Sequence, residues 1–478
     1  MVFSSTLFLF CFLPLTLAGS FVLPRVMKNY WLLFMSLVFF GWSQQNYLWI
    51  ILLNIAINYF AAAAMAACGG KRGLKNLTLV CAVAGNLGLL FYFKYFGFTV
   101  ELLAKITRRE LPVPSIVLPI GISFFTFQGM SYMIDVYRGR AAVQKNPLKV
   151  ALYVVLFPQL IAGPIVRYTD VAADIDSRTV TADDFAEGIR RFVTGLAKKT
   201  LIANTMGAAV DEVWTIGIAN WTPAVSWLTM IAYTLQIYYD FSGYSDMAIG
   251  LGRMLGFHFP ENFNLPYISK SITEFWRRWH ISLSSWFRDY VYIPLGGNRK
   301  HVYLNLFVVF LLTGIWHGAA VHYVAWGLWN GLFILAERWL KLHGGSRTAA
   351  AGSGRNGSCL RIAFARFYTL AVVASGWVMF RAASVTEALL FLKTLVVYVP
   401  EKPLYDAFWF YDRFTLTMLV LGILFASTLP TRAAAYAREH MGDRRWTVCA
   451  APVLLILFVL CASRITAGSY NPFIYFQF

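Results

Sequence analysis

The chain has 478 residues, of which 58% are hydrophobic and only 13% are charged. Soluble domains usually carry about 25% charged residues, so this composition excludes an ordinary soluble enzyme and a disordered chain. The net charge is +18, and the basic residues lie between apolar runs, which is typical of cytoplasmic loops and not of nucleic-acid binding. The six cysteines are scattered without a C-x-x-C pair, which predicts neither a disulfide nor a metal–thiolate site.

Apolar stretches long enough to cross a bilayer, about 20 residues each, recur along the whole chain and predict roughly a dozen spans. Met1–Thr6 carries no Lys or Arg, so the first stretch is predicted to be a retained span and not a cleaved signal peptide. The candidate spans are 2–24, two within 29–70 that meet around 41–46, 76–98, 113–135, 148–166, 213–239, 302–318, 323–341, 364–381, 384–399, 414–430 and 447–463.

The basic loops are predicted to face the cytoplasm. They are Lys71–Lys75, Arg138–Lys149, Asn298–His301, Lys341–Arg366 and Arg432–Arg445. Asp170–Glu187 is acidic and is expected along a membrane surface, and Gly344–Ser358 has the composition of a flexible loop. Because no internal repeat and no soluble domain are recognisable, residues 1–478 are predicted to form one integral-membrane domain with its catalytic core at about 115–340.

Polar residues at membrane depth mark functional sites, and here they concentrate between Gln236 and His322. The first cluster follows the uncharged stretch 213–239 and places two carboxylates, Asp240 and Asp246, close together in sequence. Two interpretations stay open. Either a helix ends at the surface with Asp240 as its cap, or these residues form the polar wall of a water-filled cavity.

The second cluster combines tryptophans, arginines and a histidine. The spacing of Trp276, Trp279 and His280 predicts one shared helical face, with Arg277 and Arg278 pointing elsewhere. Tryptophans are typical of the membrane interface, but an interfacial anchor does not explain the histidine. The segment is predicted to be re-entrant or buried at the cytoplasmic mouth. The nearby cations suit either a phosphorylated donor or lipid headgroups: Lys270, Arg277, Arg278, Arg288, Arg299 and Lys300.

The third cluster, Trp316-His317-Gly318, lies in a stretch, 301–336, without Asp, Glu, Lys or Arg. A buried neutral imidazole suits a general base, and Gly314 and Gly318 would let backbone or substrate approach it. The alternative is a packed core histidine. His322 is poorly placed to share a metal ion with His317, and zinc-protease, serine-hydrolase and Walker A motifs are missing from the sequence. The sequence therefore predicts no metal site.

These motifs, in this order, resemble the membrane-bound O-acyltransferase family and more closely its bacterial alginate O-acetylation branch. The carrying segments are Tyr239–Asp246, Trp276–His280, Ile293–Gly297 and Trp316–Gly318, joined by Met1–Ser5, Leu118–Phe124, Phe157–Gln159, Ala162–Ile165 and Phe473–Phe478.

The resemblance implies an all-α polytopic membrane protein, a bundle of transmembrane and re-entrant helices around a central tunnel. His317 matches the family's near-invariant histidine and His280 its second motif histidine. Both are expected to be catalytic, with His317 acting as base or as nucleophile. Residues expected to bind donor or substrate are Trp316, Trp276, Trp279, Arg277, Arg278, Asp240, Asp246 and Tyr239.

The resemblance also implies an O-acyltransferase of the bacterial inner membrane. It would take acetyl from acetyl-CoA or another cytoplasmic thioester, with no permanently bound cofactor, and pass it to a periplasmic partner acyltransferase. The expected acceptor is an envelope polysaccharide or exopolysaccharide, with alginate placed first and peptidoglycan or cellulose as alternatives. Two other classes remain open at this stage: a non-catalytic polysaccharide or lipid transporter, and a structural membrane anchor.

Overall fold

Helices make up the regular secondary structure of this chain. The computed structural model describes residues 1–340, 359–397, 405–468 and 470–474, and these contain no β-strand. The predicted all-α class is therefore confirmed, while the loop predicted at Gly344–Ser358 lies outside the described residues. The α-helices are Leu13–Val22, Arg25–Gln44, Leu48–Ala67, Arg72–Leu90, Phe96–Thr107, Ile122–Tyr137, Pro147–Val155, Phe157–Leu160, Tyr168–Asp176, Ala182–Ala197, Asn204–Thr215, Pro223–Met254, Ile272–Arg278, Ile281–Phe287, Val302–His317, Val321–Trp339, Cys359–Arg381, Val385–Thr394, Ala407–Phe410, Arg413–Phe425, Leu429–Met441 and Asp443–Thr466.

Several of these helices are long and apolar enough to cross a membrane. Within the described residues, four segments meet this test on length and composition, and a pair bent by 68° makes a fifth. The chain is thus a multi-pass membrane protein. The four segments are Arg25–Ala67, Arg72–Thr107, Cys359–Arg381 and Arg445–Thr466, and the bent pair is Arg413–Phe425 with Leu429–Met441.

The described residues cluster into two compact units. The first comprises Met1–Gly195 and Tyr244–Pro260, and the second comprises Leu196–Gly243 and Glu261–Phe478. Both candidate catalytic histidines belong to the second unit. The packing of that unit therefore decides their surroundings.

Several predicted spans are interrupted in the structure. The α-helix is broken between Thr215 and Pro223 in 213–239 and between Phe425 and Leu429 in 414–430.

Three other spans are shorter than predicted. In place of 113–135 the chain is non-helical until Ile122, since prolines precede it; in place of 148–166 the helix ends at Val155 and only Phe157–Leu160 follows. The third, 384–399, holds a helix only over Val385–Thr394. Proline lacks an N–H and clashes with the preceding turn, which explains the first two interruptions. Hydrophobicity marked these segments as buried and did not fix their length.

The helix Pro223–Met254 runs for 32 residues. The idea that Asp240 caps a helix end is therefore wrong, because both Asp240 and Asp246 lie inside this helix. Their carboxylates are buried, so each needs a partner within the protein.

Two glycines set the close approach of the helices Val302–His317 and Val321–Trp339. A Cβ on Gly314 would lie 2.5 Å from the carbonyl oxygen of Tyr323, and one on Gly327 would lie 2.5 Å from that of Phe310. Any larger residue would force the helices apart. This contact fixes the end of the first helix, where His317 lies.

Candidate active site

His317 is the last residue of the helix Val302–His317 and is buried, with 5% of its surface exposed. Three aromatic rings surround its imidazole: Trp316 and Trp326 with centroids at 4.9 Å and Phe380 at 5.2 Å, all nearly perpendicular to it. We call these three residues the aromatic box. They fix the ring without adding a charge beside it.

Gly318 ends the helix beside His317. A Cβ at Gly318 would lie 2.1 Å from the ring of Tyr323. Gly314 and Gly318 therefore make room for the protein's own helix and tyrosine, which is the backbone alternative of the two expected from the sequence. Their effect on His317 is to hold the backbone that carries it.

His280 lies between two short helices, Ile272–Arg278 and Ile281–Phe287, and is completely buried. Its backbone is left-handed, with φ 43°, which costs strain in a residue other than glycine. The surrounding hydrogen bonds hold this conformation. The N–H of Ile281 donates to the carbonyl of Asn262 at 2.9 Å, and the hydroxyl of Ser282 donates to Asn262 Oδ1 at 2.9 Å.

The same Asn262 Oδ1 lies 3.1 Å from Nδ1 of His280. An amide oxygen only accepts hydrogen bonds, so Nδ1 carries the proton and Nε2 is the basic nitrogen. Nε2 is buried without a hydrogen-bond partner among the described residues. His280 is outside the candidate spans, and its burial lowers the pKa of its imidazole. The ring is therefore neutral and presents an unused acceptor.

Trp316 connects the two histidines. Its ring contacts His317 at 4.9 Å and His280 at 6.0 Å, and the edge of Phe241 packs on His280 at 4.6 Å. The structure thus brings His317, His280 and Trp316 together.

The predicted helical face of Trp276, Trp279 and His280 is wrong, because the helix ends at Arg278 and Trp279 is extended. Glu337 caps the start of this helix. Its buried carboxylate accepts the backbone N–H groups of Ile272 at 2.6 Å and Thr273 at 3.0 Å. These are N-terminal groups that an isolated helix leaves without partners.

The two tryptophans still reach the aromatic box, Trp276 directly and Trp279 through Trp377. Trp276 contacts Trp326 at 5.7 Å, while Trp279 contacts Trp377 at 4.8 Å. Trp377 in turn stacks on Trp326 at 5.8 Å. Both predicted residues therefore support Trp326 from behind.

The predicted donor-binding arginines have different surroundings. Arg278 pairs with Glu274 at 2.9 Å and donates to the carbonyl of Asn264. Arg277 is exposed and has no carboxylate partner among the described residues. Of the two, Arg277 is the one available to an anionic ligand.

The residues predicted from the first cluster have partners of their own. Tyr239 donates its hydroxyl hydrogen bond to the carbonyl of Gly422 at 2.6 Å. Asp240 pairs with Lys199 in the second unit, and Asp246 pairs with Arg191 at 2.7 Å in the first. These contacts hold helices together. Of the first cluster, Gln236 lines a polar cavity, as the cavity-wall interpretation expects.

A polar cavity of about 180 Å³ lies beside the aromatic box. Phe380 lines this cavity and also contacts the ring of His317, so one aromatic ring separates the two. The cavity is large enough for several waters. Its other lining residues include Asp211, Tyr233, Gln236, His322, Tyr323, Arg381 and Tyr470.

The C-terminal segment Tyr470–Ile474 closes one side of this cavity. Its anchor is the buried Lys199–Asp240 pair, where Lys199 donates to the carbonyl of Pro472 and Asp240 accepts the N–H of Ile474 at 2.8 Å. Tyr470 donates to Asp211, which also pairs with Arg381 at 2.8 Å. The residues after Ile474 lie outside the described part.

Sequence reasoning missed Asn262, Glu337, Trp326 and Phe380. Of these four residues, Glu337 could have been found from the sequence, because it is an acidic residue directly after the uncharged stretch 301–336.

Comparison with known proteins identifies the family. The family model for membrane-bound O-acyltransferases matches residues 10–343. The chain belongs to the membrane-bound O-acyltransferase family. It is 38% identical to the probable alginate O-acetylase AlgI of Pseudomonas putida, over 100% of both chains. It is 32% identical to the peptidoglycan O-acetyltransferase of Helicobacter pylori, over 100% of this chain and 98% of that protein.

A more distant relative is the teichoic acid D-alanyltransferase of Bacillus subtilis, 31% identical over 48% of this chain and 62% of that protein. Family membership makes this chain an O-acyltransferase. The alternatives of a non-catalytic transporter and a structural anchor are therefore set aside.

Proposed function

We propose that this O-acyltransferase takes an acetyl group from acetyl-CoA, or another cytoplasmic acyl thioester, and moves it across the bacterial inner membrane. The acceptor is an envelope polysaccharide or exopolysaccharide, with alginate placed first and peptidoglycan or cellulose as alternatives. Support comes from the full-length similarity to the probable alginate O-acetylase, and from a chain whose basic loops alternate with apolar helices. The proposal includes roughly a dozen transmembrane and re-entrant segments around a central tunnel.

The observation that carries the chemical proposal is the aromatic box, which holds His317 one ring away from a polar cavity. In this account an acceptor hydroxyl reaches His317 from the cavity side. The hydroxyl oxygen bonds to the thioester carbonyl carbon, the C–S bond breaks, and the hydroxyl proton passes through His317 to the leaving thiolate. If His317 is itself the nucleophile, the acetyl group resides on its ring between two such steps.

His280 is proposed to act beside it. Because Asn262 fixes its tautomer, Nε2 is a fixed acceptor in a buried site. Nε2 is suited to accept a hydrogen bond from the acyl thioester or to relay a proton. Arg277 is proposed to meet the phosphates of the donor.

A periplasmic acyltransferase is the proposed partner. Its docking is assigned to the C-terminal segment, because Tyr470–Ile474 is anchored beside the cavity. A chain ending at Ile474, which keeps this anchor, should cleave the thioester and fail to acetylate polysaccharide. Equal loss of both reactions would contradict this assignment.

The experiment follows thiol release from [14C]acetyl-CoA by the purified protein in detergent. His317→Ala and His280→Ala are compared with His258→Ala, a matched change at a half-exposed histidine of the other unit. The thermal stability of each variant is measured beside its rate. The proposal predicts that only the first two variants lose activity while remaining folded. An inactive His258→Ala, or an active His317→Ala, would overturn it.

A further inference from the structure

A basic cavity of about 230 Å³ opens in the first unit, and none of its lining residues has a role in the proposed chemistry. Three cationic side chains line it: Arg25, Lys28 and Arg178. No carboxylate is among the lining residues. The remainder of the lining is Ser20, Phe21, Thr179, Val180, Met254 and Leu255.

Arg178 is held in place by the protein. Its Nη1 donates to Asn29 Oδ1 at 2.5 Å, and its guanidinium lies 4.6 Å from the ring centre of Phe257. A guanidinium has five N–H donors, and Nε and Nη2 find no acceptor among the described residues. Although burial lowers the pKa of Arg178 to about 10, the group stays charged at neutral pH.

The other two cations stand at the start of a long helix. Arg25 is the first residue of Arg25–Gln44 and Lys28 follows one turn later. Neither has a carboxylate partner among the described residues. The partial positive charge of the helix start adds to theirs. Three positive side chains around one cavity, with the hydroxyl of Thr179 on its wall, make a site for an oxyanion.

The surface beside the cavity is apolar. Phe21 is 48% exposed, Val22 84% and Val26 78%. A site for a soluble anion has no need of such a rim, whereas a lipid places its phosphate among cations and its chains against apolar side chains. We propose that this cavity binds the phosphate of an anionic glycerophospholipid.

The sequence also indicates the leaflet. Arg25 lines a neighbouring cavity together with Lys149 and Asp176, which pair at 2.5 Å. Lys149 ends the basic loop Arg138–Lys149, which the positive-inside rule predicts to be cytoplasmic. The lipid is therefore one from the cytoplasmic leaflet.

The test uses the full-length protein in detergent and counts bound lipid by native mass spectrometry. Phosphatidylglycerol and phosphatidylcholine with identical chains are titrated in parallel. Arg25→Gln/Lys28→Gln is compared with Lys71→Gln/Arg72→Gln, a matched pair at the start of another helix, Arg72–Leu90. The first pair should weaken phosphatidylglycerol binding about 30-fold, as expected for the loss of two interfacial cations, and the second should leave it unchanged.

Arg178→Lys keeps the positive charge but loses the planar set of guanidinium N–H donors. It should weaken phosphatidylglycerol binding less than Arg25→Gln/Lys28→Gln does. Equal binding of phosphatidylglycerol by wild type and by the Arg25/Lys28 variant would overturn the proposal. A separate arm measures thermal stabilisation by inorganic phosphate and by acetyl-CoA. Stabilisation by either at the level of phosphatidylglycerol would assign the cavity to a soluble phosphate and overturn the lipid assignment.

Discussion

The carboxylate of Asp240, deep in a long helix, accepts the backbone N–H of Ile474 at 2.8 Å. The two residues are 234 positions apart in the chain. The same carboxylate pairs with Lys199, whose ammonium group also donates to the carbonyl of Pro472. One buried ion pair therefore ties the C-terminal segment to the unit that carries both histidines.

Breaking this pair should destabilise the protein strongly. Lys199→Met leaves Asp240 buried without its counter-charge, which costs about 3–5 kcal/mol. The double change Lys199→Met/Asp240→Leu should cost less than the sum of the two single changes, because no charge is left alone. Thermal unfolding in detergent measures all three. Additive effects would show that the pair is not coupled.

A second prediction concerns Gly314, whose close packing against Tyr323 holds the helix that carries His317. Gly314→Ala should lower both stability, by about 1–3 kcal/mol, and the rate of thioester cleavage, because its Cβ would collide with Tyr323. Gly88→Ala is the matched control, since nothing lies within 4 Å of its added Cβ. It should be neutral or slightly stabilising. An equal loss in both variants would point to a general effect of helix glycines.

Glu337 should act as a positioning residue for His280. Glu337→Ala removes the acceptor of two backbone N–H groups and should cost about 1–3 kcal/mol for each donor left buried. Glu337→Gln keeps one oxygen acceptor and should recover part of the stability and activity. Stability and the kcat of thiol release are the measurements. A Glu337→Ala protein with wild-type kcat would show that Glu337 does not position His280.

The pKa of His280 gives a pH dependence. Burial holds it near 3, below the ordinary 6.5, so the unfolded chain binds a proton at mildly acidic pH that the folded chain does not. Its contribution to stability is full above pH 6.5 and falls as the pH drops toward 3, by at most about 1.4 kcal/mol per unit. Between pH 7 and pH 5, wild type should lose more thermal stability than His280→Gln. Parallel losses would contradict this.

The sequence revealed those parts of the site that motifs or local pattern encode. Trp316-His317-Gly318 was recognisable because charged residues are missing around it. The contact that orients His280 comes from Asn262, 18 residues away. The cap of the preceding helix, Ile272–Arg278, comes from Glu337, 65 residues from Ile272. No local periodicity reports such pairs.

Segment lengths were harder to predict than their burial. Ile122–Tyr137 and Pro147–Val155 are buried on most sides, so their apolar composition reflects burial in protein as well as in lipid. Hydropathy does not separate these two causes. The prolines around them were the available signal for shorter helices.

The most direct test of the account is chemical rescue at His317. The rate of thiol release from acetyl-CoA is measured for wild type and folded His317→Ala, with and without added imidazole. The account predicts a loss of at least about 100-fold in the variant and partial recovery with imidazole, which the adjoining cavity admits. A folded His317→Ala protein that cleaves the thioester at the wild-type rate would show that His317 is a packed core residue.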